Sequence, residues 1–205
     1  MNLSIKEKYL CLKNTKYEYE NYFLVPFREK DIQYIRKLRN KQMDILRQKE
    51  KISEKDQIKY FKIFIKKSFN EKKPNSILFS FLLNTKCIGY GGLTNIDWNS
   101  KRAEVSFIVD NIRHSEPEIY DQDFSSFLKL ITHLAFNELK FNKLFTETYN
   151  IRPLHLKIIE KMGFELEGRL KKHVNIKGKY ADSLLHGYLK SQYIKSENNL
   201  FKNKQ

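Results

Sequence analysis

The chain has 205 residues and a formal net charge of +15, with 40% hydrophobic residues, 7 glycines and 4 prolines. This composition excludes the collagen-like, disordered and disulfide-scaffold classes, and the length allows one domain to bury a full core. The longest nearly apolar run, 77–83, is too short to cross a bilayer, so no membrane span is expected. Because the N-terminus has no apolar signal core, we expect a cytoplasmic protein in which Cys11 and Cys87 stay reduced.

The positive charge indicates anionic partners without favouring nucleic acid. Only 8 of the 39 basic residues are arginine. Arginine is the residue that forms bidentate hydrogen bonds with base edges and phosphates. We therefore expect attraction of anionic small molecules. A nucleic-acid partner is a weaker alternative, which salt-sensitive retention on DNA or RNA would reveal.

Hydrophobic periodicity and capping residues predict the following elements in chain order. They are a strand at 22–28, a helix at 31–40, a helix at 53–70 capped by Ser53, strands at 77–83, 86–96 and 102–109, a helix at 121–140, a strand at 143–149, a helix at 154–162 ended by Gly163, and strands at 164–175 and 183–190.

This order predicts one mixed α/β (α+β) domain without internal repeats, which we place at 21–190. Residues 1–20 are interpreted as an N-terminal extension. Residues 191–205 are rich in lysine and asparagine and are expected to form a disordered polar tail.

Common motifs for metal binding, phosphate binding and serine nucleophiles are missing from the sequence. The five histidines lack His-Glu-x-x-His spacing and cysteine partners, so no metal site is expected. There is no P-loop and no Gly-x-Ser-x-Gly. Gly89, Gly91 and Gly92 lie within a predicted strand, where they indicate a bulge or a close backbone approach.

Glu104 is the most informative acid. Strand alternation places Glu104, Ser106 and Ile108 on one face of the strand at 102–109. A carboxylate on a partly apolar face suits a general base if that face is covered. Pattern alone leaves open the alternative of a solvated residue on an exposed face.

Several segments together resemble the GNAT superfamily of acyl-CoA-dependent N-acetyltransferases, in particular the branch that acetylates ribosomal protein N-termini, polyamines and nucleotide-linked amino sugars. The resemblance covers about residues 22–190, and its most specific part runs from Gly163-Phe164 to Tyr188. The other segments that carry it are Cys87-Ile-Gly89-Tyr-Gly91-Gly92, Ala103-Glu-Val-Ser-Phe-Ile-Val109 and Glu147-Thr-Tyr149-Asn150-Ile-Arg152-Pro-Leu-His155.

The resemblance implies a mostly antiparallel sheet with helices on both faces, splayed between the strands at 102–109 and 143–149. It also implies that acetyl-CoA lies in this gap, with its pantetheine arm paired to the backbone of Phe107, Ile108 and Val109.

The catalytic roles also follow from the resemblance. Glu104 matches a position where several members carry the general base that deprotonates a substrate ammonium. Many members place the acid for the leaving thiolate where this chain has Ile159, so Tyr149 is the substitute candidate. Cross-strand packing is the alternative role of Tyr149.

The chain departs from the family pattern where the donor pyrophosphate should bind. The family has a glycine-containing loop before the helix at 121, but residues 116–124 contain no glycine and four acids. Candidate cofactor-binding residues are then Arg113, with His114 as a helper, Arg152 and His155. The departure keeps open a second class of function, a catalytically inactive GNAT-fold binding domain.

In the family, the first two helices and the last hairpin wall the acceptor site. The candidate substrate-binding residues are therefore Arg39, Asn40, Arg47, Trp98 and Tyr180. Because segment 46–61 is similar to acetyltransferases of surface-glycan biosynthesis, we expect a nucleotide-linked amino sugar as acceptor. Protein N-termini and other small amines are alternatives, of which a polyamine suits a chain of +15 charge least. A homodimer is compatible with the sequence.

Overall fold

Eight strands form one sheet in the computed structural model, which describes residue 5 and residues 7–202, with side chains up to residue 196. Their spatial order is β1-β2-β3-β4-β5-β6-β8-β7, and every neighbouring pair is antiparallel except β5 and β6. The strands are β1 (Tyr17–Tyr19), β2 (Tyr22–Pro26), β3 (Ile77–Leu83), β4 (Lys86–Asp97), β5 (Arg102–Val109), β6 (Lys143–Tyr149), β7 (Glu165–Ile176) and β8 (Lys179–Leu189). The predicted mixed, mostly antiparallel sheet is confirmed.

The described helices lie largely where periodicity predicts them. They are α1 (Ile32–Lys41), α2 (Glu54–Tyr60), α3 (Lys66–Phe69), α4 (Asn111–Ser115), α5 (Pro117–His133), α6 (Pro153–Lys161) and α7 (Lys190–Lys202). A π-helical stretch, Phe61–Ile65, joins α2 to α3, and another, Leu134–Glu138, extends α5. Ser53 caps α2 as predicted, since its side chain accepts a hydrogen bond from the backbone N–H of Asp56.

Helices cover both faces of the sheet. In β4, Tyr90 packs against Phe27, which in turn contacts Phe61 of the π-helical stretch. The next residue, Gly91, faces Phe127 of α5 so closely that a Cβ there would lie 2.7 Å from the ring. Since successive strand residues point to opposite faces, these contacts place the α2 layer and α5 on opposite sides.

The N-terminal extension is part of this core rather than an appendage. Tyr9 is fully buried, and its hydroxyl donates a hydrogen bond to the Leu78 carbonyl and accepts one from the Leu78 amide, both at 2.8 Å. Further along, β1 pairs with β2. Apolar burial of the tyrosines anchors this segment, which its polar composition does not indicate. Residues 1–4 and 6 of the predicted extension lie outside the described residues.

The expectation of a disordered tail is wrong for its first part, which forms α7. Tyr193 is 7% exposed, and its ring packs 5.1 Å from that of Phe136. This aromatic contact provides the burial that a composition of lysine and asparagine does not suggest. Residues 203–205 of the predicted tail lie outside the described residues.

The sheet splits between β5 and β6. The parallel pairing covers only Arg102 with Lys143, Ala103 with Leu144, and Glu104 with Phe145. Beyond Glu104 the two strands separate, although β5 stays paired to β4 as far as Val109. The resulting gap is the splayed sheet that the sequence predicts.

Candidate active site

A cavity of about 440 Å³ fills the gap between the separating strands. Val105, Ser106 and Phe107 line it from β5, and Thr146 to Tyr149 line it from β6. One end is closed by Arg39 of α1 and by the irregular segment 46–53, and the other reaches Arg152 and His155 at the start of α6. We call the end near Arg39 and Arg47 the acceptor end and the end near Arg152 the donor end, after the roles that the resemblance implies.

Glu104 lies at the point where the strands part, and it is buried rather than solvated. Its residue exposure is 7%. A bulge in β4 directs the side chain of Asn95 onto the carboxylate, with Nδ2 2.6 Å from Oε2. The covered face that a general base requires is therefore present.

Arg47 bridges Glu104 to a second carboxylate. Its two terminal nitrogens lie 2.7 and 3.2 Å from the Glu104 oxygens, and Nη2 also lies 2.8 Å from Oε2 of Glu147. The guanidinium therefore sits between the two carboxylates and offsets their mutual repulsion. A positive group is bound where a substrate ammonium would have to approach Glu104.

Tyr149 ends β6 and lines the same cavity. Burial raises the pKa of its hydroxyl, an effect that nearby Arg47 opposes. The phenol therefore stays protonated at neutral pH, as a proton donor to a leaving thiolate must. Tyr149 also pairs across the ladder with Ser183, so packing and proton donation are both consistent with its position.

At the donor end, the side chain of Phe107 packs into the core against Phe124 and Phe127, with ring centroids 4.7 and 4.5 Å apart. β6 pairs with none of Phe107, Ile108 and Val109, so the edge of β5 that faces the gap has no strand partner there, although the Val109 carbonyl accepts a hydrogen bond from Gln42 Nε2 at 2.7 Å. Unpaired strand backbone can accept the amide groups of an extended ligand. The pairing of the pantetheine arm of CoA to this backbone stays a prediction.

The residues around the turn before α5, where the resemblance implies pyrophosphate binding, make other interactions. Arg113, a predicted phosphate ligand, instead binds the fully buried Asp123 through bonds of 2.6 and 2.7 Å. Glu116 precedes α5 without forming a side-chain cap, and the helix begins at Pro117, which has no N–H to donate. The Arg113 guanidinium thus neutralises a buried carboxylate, and its contact with a phosphate stays a prediction.

Arg152 and His155 both contact the hydroxyl of Tyr120 on α5. The Tyr120 oxygen accepts a hydrogen bond from Arg152 Nη2 at 3.0 Å and lies 2.6 Å from His155 Nδ1. The imidazole stacks on Phe124 at 4.2 Å. Burial lowers the pKa of His155 well below its usual value and raises that of Tyr120 to about 12, so this group of side chains is neutral apart from Arg152.

Among the predicted acceptor residues, Arg39 and Arg47 line the cavity and the other three do not. Asn40 is hydrogen-bonded to segment 46–53. Its side-chain amide donates to the Ile52 carbonyl and accepts from the Ile52 N–H, both at 2.9 Å. The Trp98 indole donates to the Pro74 carbonyl and packs on Phe141. Tyr180 is 67% exposed on the last hairpin. These three residues shape or flank the site without facing the cavity.

Sequence reasoning missed Glu147 and Asn95. Glu147 opens the quoted segment that ends β6, and alternation from Tyr149 could have placed it on the face of that tyrosine. Asn95 reaches Glu104 only because it adopts a left-handed backbone, with φ of 48°, inside the β4 bulge. A bulge of this kind has no reliable sequence signal.

A second cavity of about 640 Å³ adjoins the first and shares Leu46, Arg47, Gln48, Glu147 and Tyr149 with it. Lys49 and Lys177 of its wall are basic, and Lys177 is paired with Asp44 of the same wall. His173 Nε2 lies 4.0 Å from Glu147. The acceptor end therefore combines a carboxylate pair with a surrounding basic wall.

Two kinds of feature are absent from the described residues. No helix there is long and apolar enough to span a membrane. The same part of the chain contains no cluster of three or more histidine, cysteine or acidic side chains able to hold a metal ion.

Comparison with known proteins places these features in context. A family model described as an acetyltransferase (GNAT) domain matches residues 24–185. A spermidine N-acetyltransferase from Vibrio cholerae, solved with CoA and spermine, aligns with a TM-score of 0.73 at 20% identity, covering 86% of this chain and 99% of that one. The dodecameric form of such an enzyme from the same organism gives a TM-score of 0.70 at 20% identity, with 85% and 97% covered. A GNAT-family acetyltransferase from Bacillus anthracis gives 0.66 at 13% identity, with 86% and 99% covered. No curated protein matches the chain.

Proposed function

We propose that this chain, which belongs to the GNAT family of acetyltransferases, transfers acetyl from acetyl-CoA to the primary amine of a nucleotide-linked amino sugar. The observation that carries this proposal is the charge pattern of the acceptor end. An ammonium suits the carboxylates of Glu104 and Glu147, and a diphosphate suits the basic wall around them.

The basic wall is contributed by three separate elements. Arg39 projects from α1, and Lys49 belongs to segment 46–53. Lys177, which is also paired with Asp44, lies at the turn between β7 and β8. Such a spread suits an elongated acceptor that enters amine first and leaves its anionic part near the surface. A polycation would gain from the two carboxylates and be repelled by the rest of the cleft.

In the proposed reaction, Glu104 acts as general base and takes one proton from the substrate ammonium, because a protonated amine cannot attack a thioester. The freed nitrogen forms a bond to the acetyl carbon while the carbon–sulfur bond breaks, and Tyr149 donates its proton to the departing sulfur. The nitrogen then gives up its second proton, which restores the Tyr149 hydroxyl, and Glu104 returns the first proton to solvent. An N–H of the unpaired β5 backbone can stabilise the oxygen charge that develops in between. For the amine to reach Glu104, the Arg47 guanidinium has to move aside.

The comparisons suggest a second acceptor, since two of the similar structures are of spermidine N-acetyltransferases. At 20% identity these likenesses support the fold alone. The paired carboxylates would also suit a polyamine, and a protein N-terminus remains a further alternative. The basic wall favours the amino sugar.

The test is release of free thiol from acetyl-CoA with matched acceptors, followed by mass spectrometry of the product. The panel contains a UDP-linked sugar with a free amine, the same amino sugar without its nucleotide, spermidine and a short peptide with a free N-terminus. We expect the nucleotide-linked amine to have a kcat/KM at least about tenfold above the others, with a loss at high salt.

The control is UDP-N-acetylglucosamine, whose amine is already blocked and which should release no thiol. Equal rates for the amino sugar with and without its nucleotide would show that the basic wall does not contribute to acceptor binding. Preference for spermidine would replace the amino sugar by a polyamine. Tight binding of acetyl-CoA with no transfer to any amine would support the binding-only alternative.

A further inference from the structure

The donor end of the cavity contains a cation that has no acidic partner among the described residues. Arg152 lines the cavity, and Tyr120 is its hydrogen-bond partner through Nη2, whereas its Nε is buried and unbonded within that part of the chain. The ionisable groups that interact with it are Tyr120, His114 and His155. The nearby acid, Asp123, is committed to Arg113 and Tyr22.

Other polar groups of the same cavity also lack partners in the described structure. Thr146 is 4% exposed, lines the cavity, and its hydroxyl has no hydrogen bond there. Arg152 itself directly precedes α6, a helix of nine residues whose N-terminus has no side-chain cap. The N–H groups of Leu154 and His155 in its first turn therefore have no partner within the helix.

Burying a positive charge without a counter-ion is unfavourable, and so is burying an unbonded hydroxyl. A helix N-terminus adds positive potential at the same point. These groups together form a cavity wall that suits an anion with several acceptor oxygens.

The usual place for such an anion in front of α5 is unsuitable here. That turn has no glycine, offers Pro117 in place of an amide donor, and carries Glu116 and Glu118. Two carboxylates at the entrance repel a phosphate. The positive charge that a glycine-containing turn would supply is instead found at Arg152, on the other side of the gap.

We propose that Arg152 and the first turn of α6 bind a phosphate of acetyl-CoA, in place of the turn before α5. The proposal rests on acetyl-CoA being the donor. It assigns to Arg152 the counter-charge that this chain lacks before α5, and it explains why an arginine occupies a position that offers it no acidic partner among the described residues.

The experiment is calorimetric titration of the full chain with three ligands that add phosphate stepwise: pantetheine, 4′-phosphopantetheine and CoA. In Arg152→Gln, the Kd for each phosphate-bearing ligand that contacts Arg152 should rise about 10- to 100-fold, as expected for loss of a charge-assisted hydrogen bond. The Kd for pantetheine should change less than about threefold. If 4′-phosphopantetheine already shows the effect, the contacted phosphate is the one nearest the pantetheine arm; if only CoA does, it lies further out.

Two further variants control for charge and structure. Arg152→Lys keeps the charge and should recover part of the affinity, whereas Arg102→Gln removes an exposed arginine at the far end of β5 and should leave all three Kd values unchanged. The ligand-free melting temperature of Arg152→Gln should equal or exceed that of the wild type, since a charge without a counter-ion is removed.

Equal weakening of pantetheine and CoA, or a fall in the ligand-free melting temperature, would make Arg152 a structural residue and overturn the inference. Unchanged CoA affinity in Arg152→Gln would do the same while leaving the proposed function intact. Failure of the proposed function has a different signature, which is CoA binding that depends on Arg152 without acetyl transfer to any nucleotide-linked amine. A wild type that binds none of the three ligands would overturn both.

Discussion

The guanidinium of Arg47 forms a two-pronged ion pair with Glu104, with nitrogen–oxygen distances of 2.7 and 3.2 Å. The pair joins an irregular, half-exposed segment to a buried strand at the mouth of the split sheet. It places a cation at the position from which an amine must reach the carboxylate. In the proposed mechanism, substrate entry therefore requires the release of Arg47.

This relationship predicts opposite effects of Arg47→Ala on two kinds of acceptor. A simple alkylamine no longer competes with the guanidinium, so its kcat/KM should rise severalfold. A nucleotide-linked amine also loses a cation near its diphosphate, so its kcat/KM should fall. Steady-state kinetics with both acceptors tests this, with Lys51→Ala as the control from the same segment, which lines neither cavity. Parallel changes for both acceptors would contradict it.

Glu104→Gln should lower kcat by about 100-fold or more, since general base catalysis contributes on that order. The affinity for CoA should stay within about threefold, because Glu104 lies at the acceptor end. Turnover and calorimetry on the same preparation measure the two effects. Glu165→Gln, an exposed change on β7, is the matched control, and an unchanged kcat in Glu104→Gln would remove it as the base.

Tyr149→Phe should lower kcat at least about tenfold with little change in acceptor KM, if its hydroxyl protonates the thiolate. Because burial raises the pKa of this phenol above its usual 10.0, the wild-type rate should not fall between pH 8 and 9 through its ionisation. A pH–rate profile of both proteins measures this. Full activity of the phenylalanine variant would assign Tyr149 to packing.

His155 should make stability dependent on pH in the acidic range. Burial holds its pKa in the folded protein well below the ordinary 6.5, to which unfolding returns it. The unfolded chain then binds more protons, so this contribution is fully present above about pH 6.5 and is lost as the pH falls towards the folded-state pKa. Melting curves from pH 8 to 5 should show the loss, and His155→Gln should flatten it. His173→Gln, an exposed substitution, should retain the wild-type slope.

Gly91→Ala should destabilise the protein by about 1 to 3 kcal/mol, as overpacking does in well-packed cores. A Cβ at this position would lie 2.3 Å from the Ser106 carbonyl oxygen and 2.7 Å from the Phe127 ring. Denaturant unfolding measures the effect. Gly168→Ala is the control, because its Cβ would meet its nearest neighbour at 3.7 Å, an ordinary contact. Equal stability of both variants would contradict the close approach of α5 to β4.

Apolar periodicity along the chain accounts for most of the fold. It predicts strands at 77–83, 102–109 and 143–149, which are the bounds of β3, β5 and β6, because strands and helices bury one face with a regular spacing. It fails where a tertiary contact provides the burial. Tyr9 and Tyr193 lie in polar segments, and only their partners in the folded chain show that they belong to the core.

For the site, local sequence and family resemblance predict Glu104, Tyr149 and Arg152, whose positions depend on strand alternation and on the end of β6. Only the tertiary structure decided what each of them faces. Arg113 and Arg47 carry the same charge in the sequence, but Arg113 is bound to buried Asp123 and Arg47 to Glu104. Charge partners are chosen by distance across elements that are far apart in the chain, and a linear pattern contains no such distance.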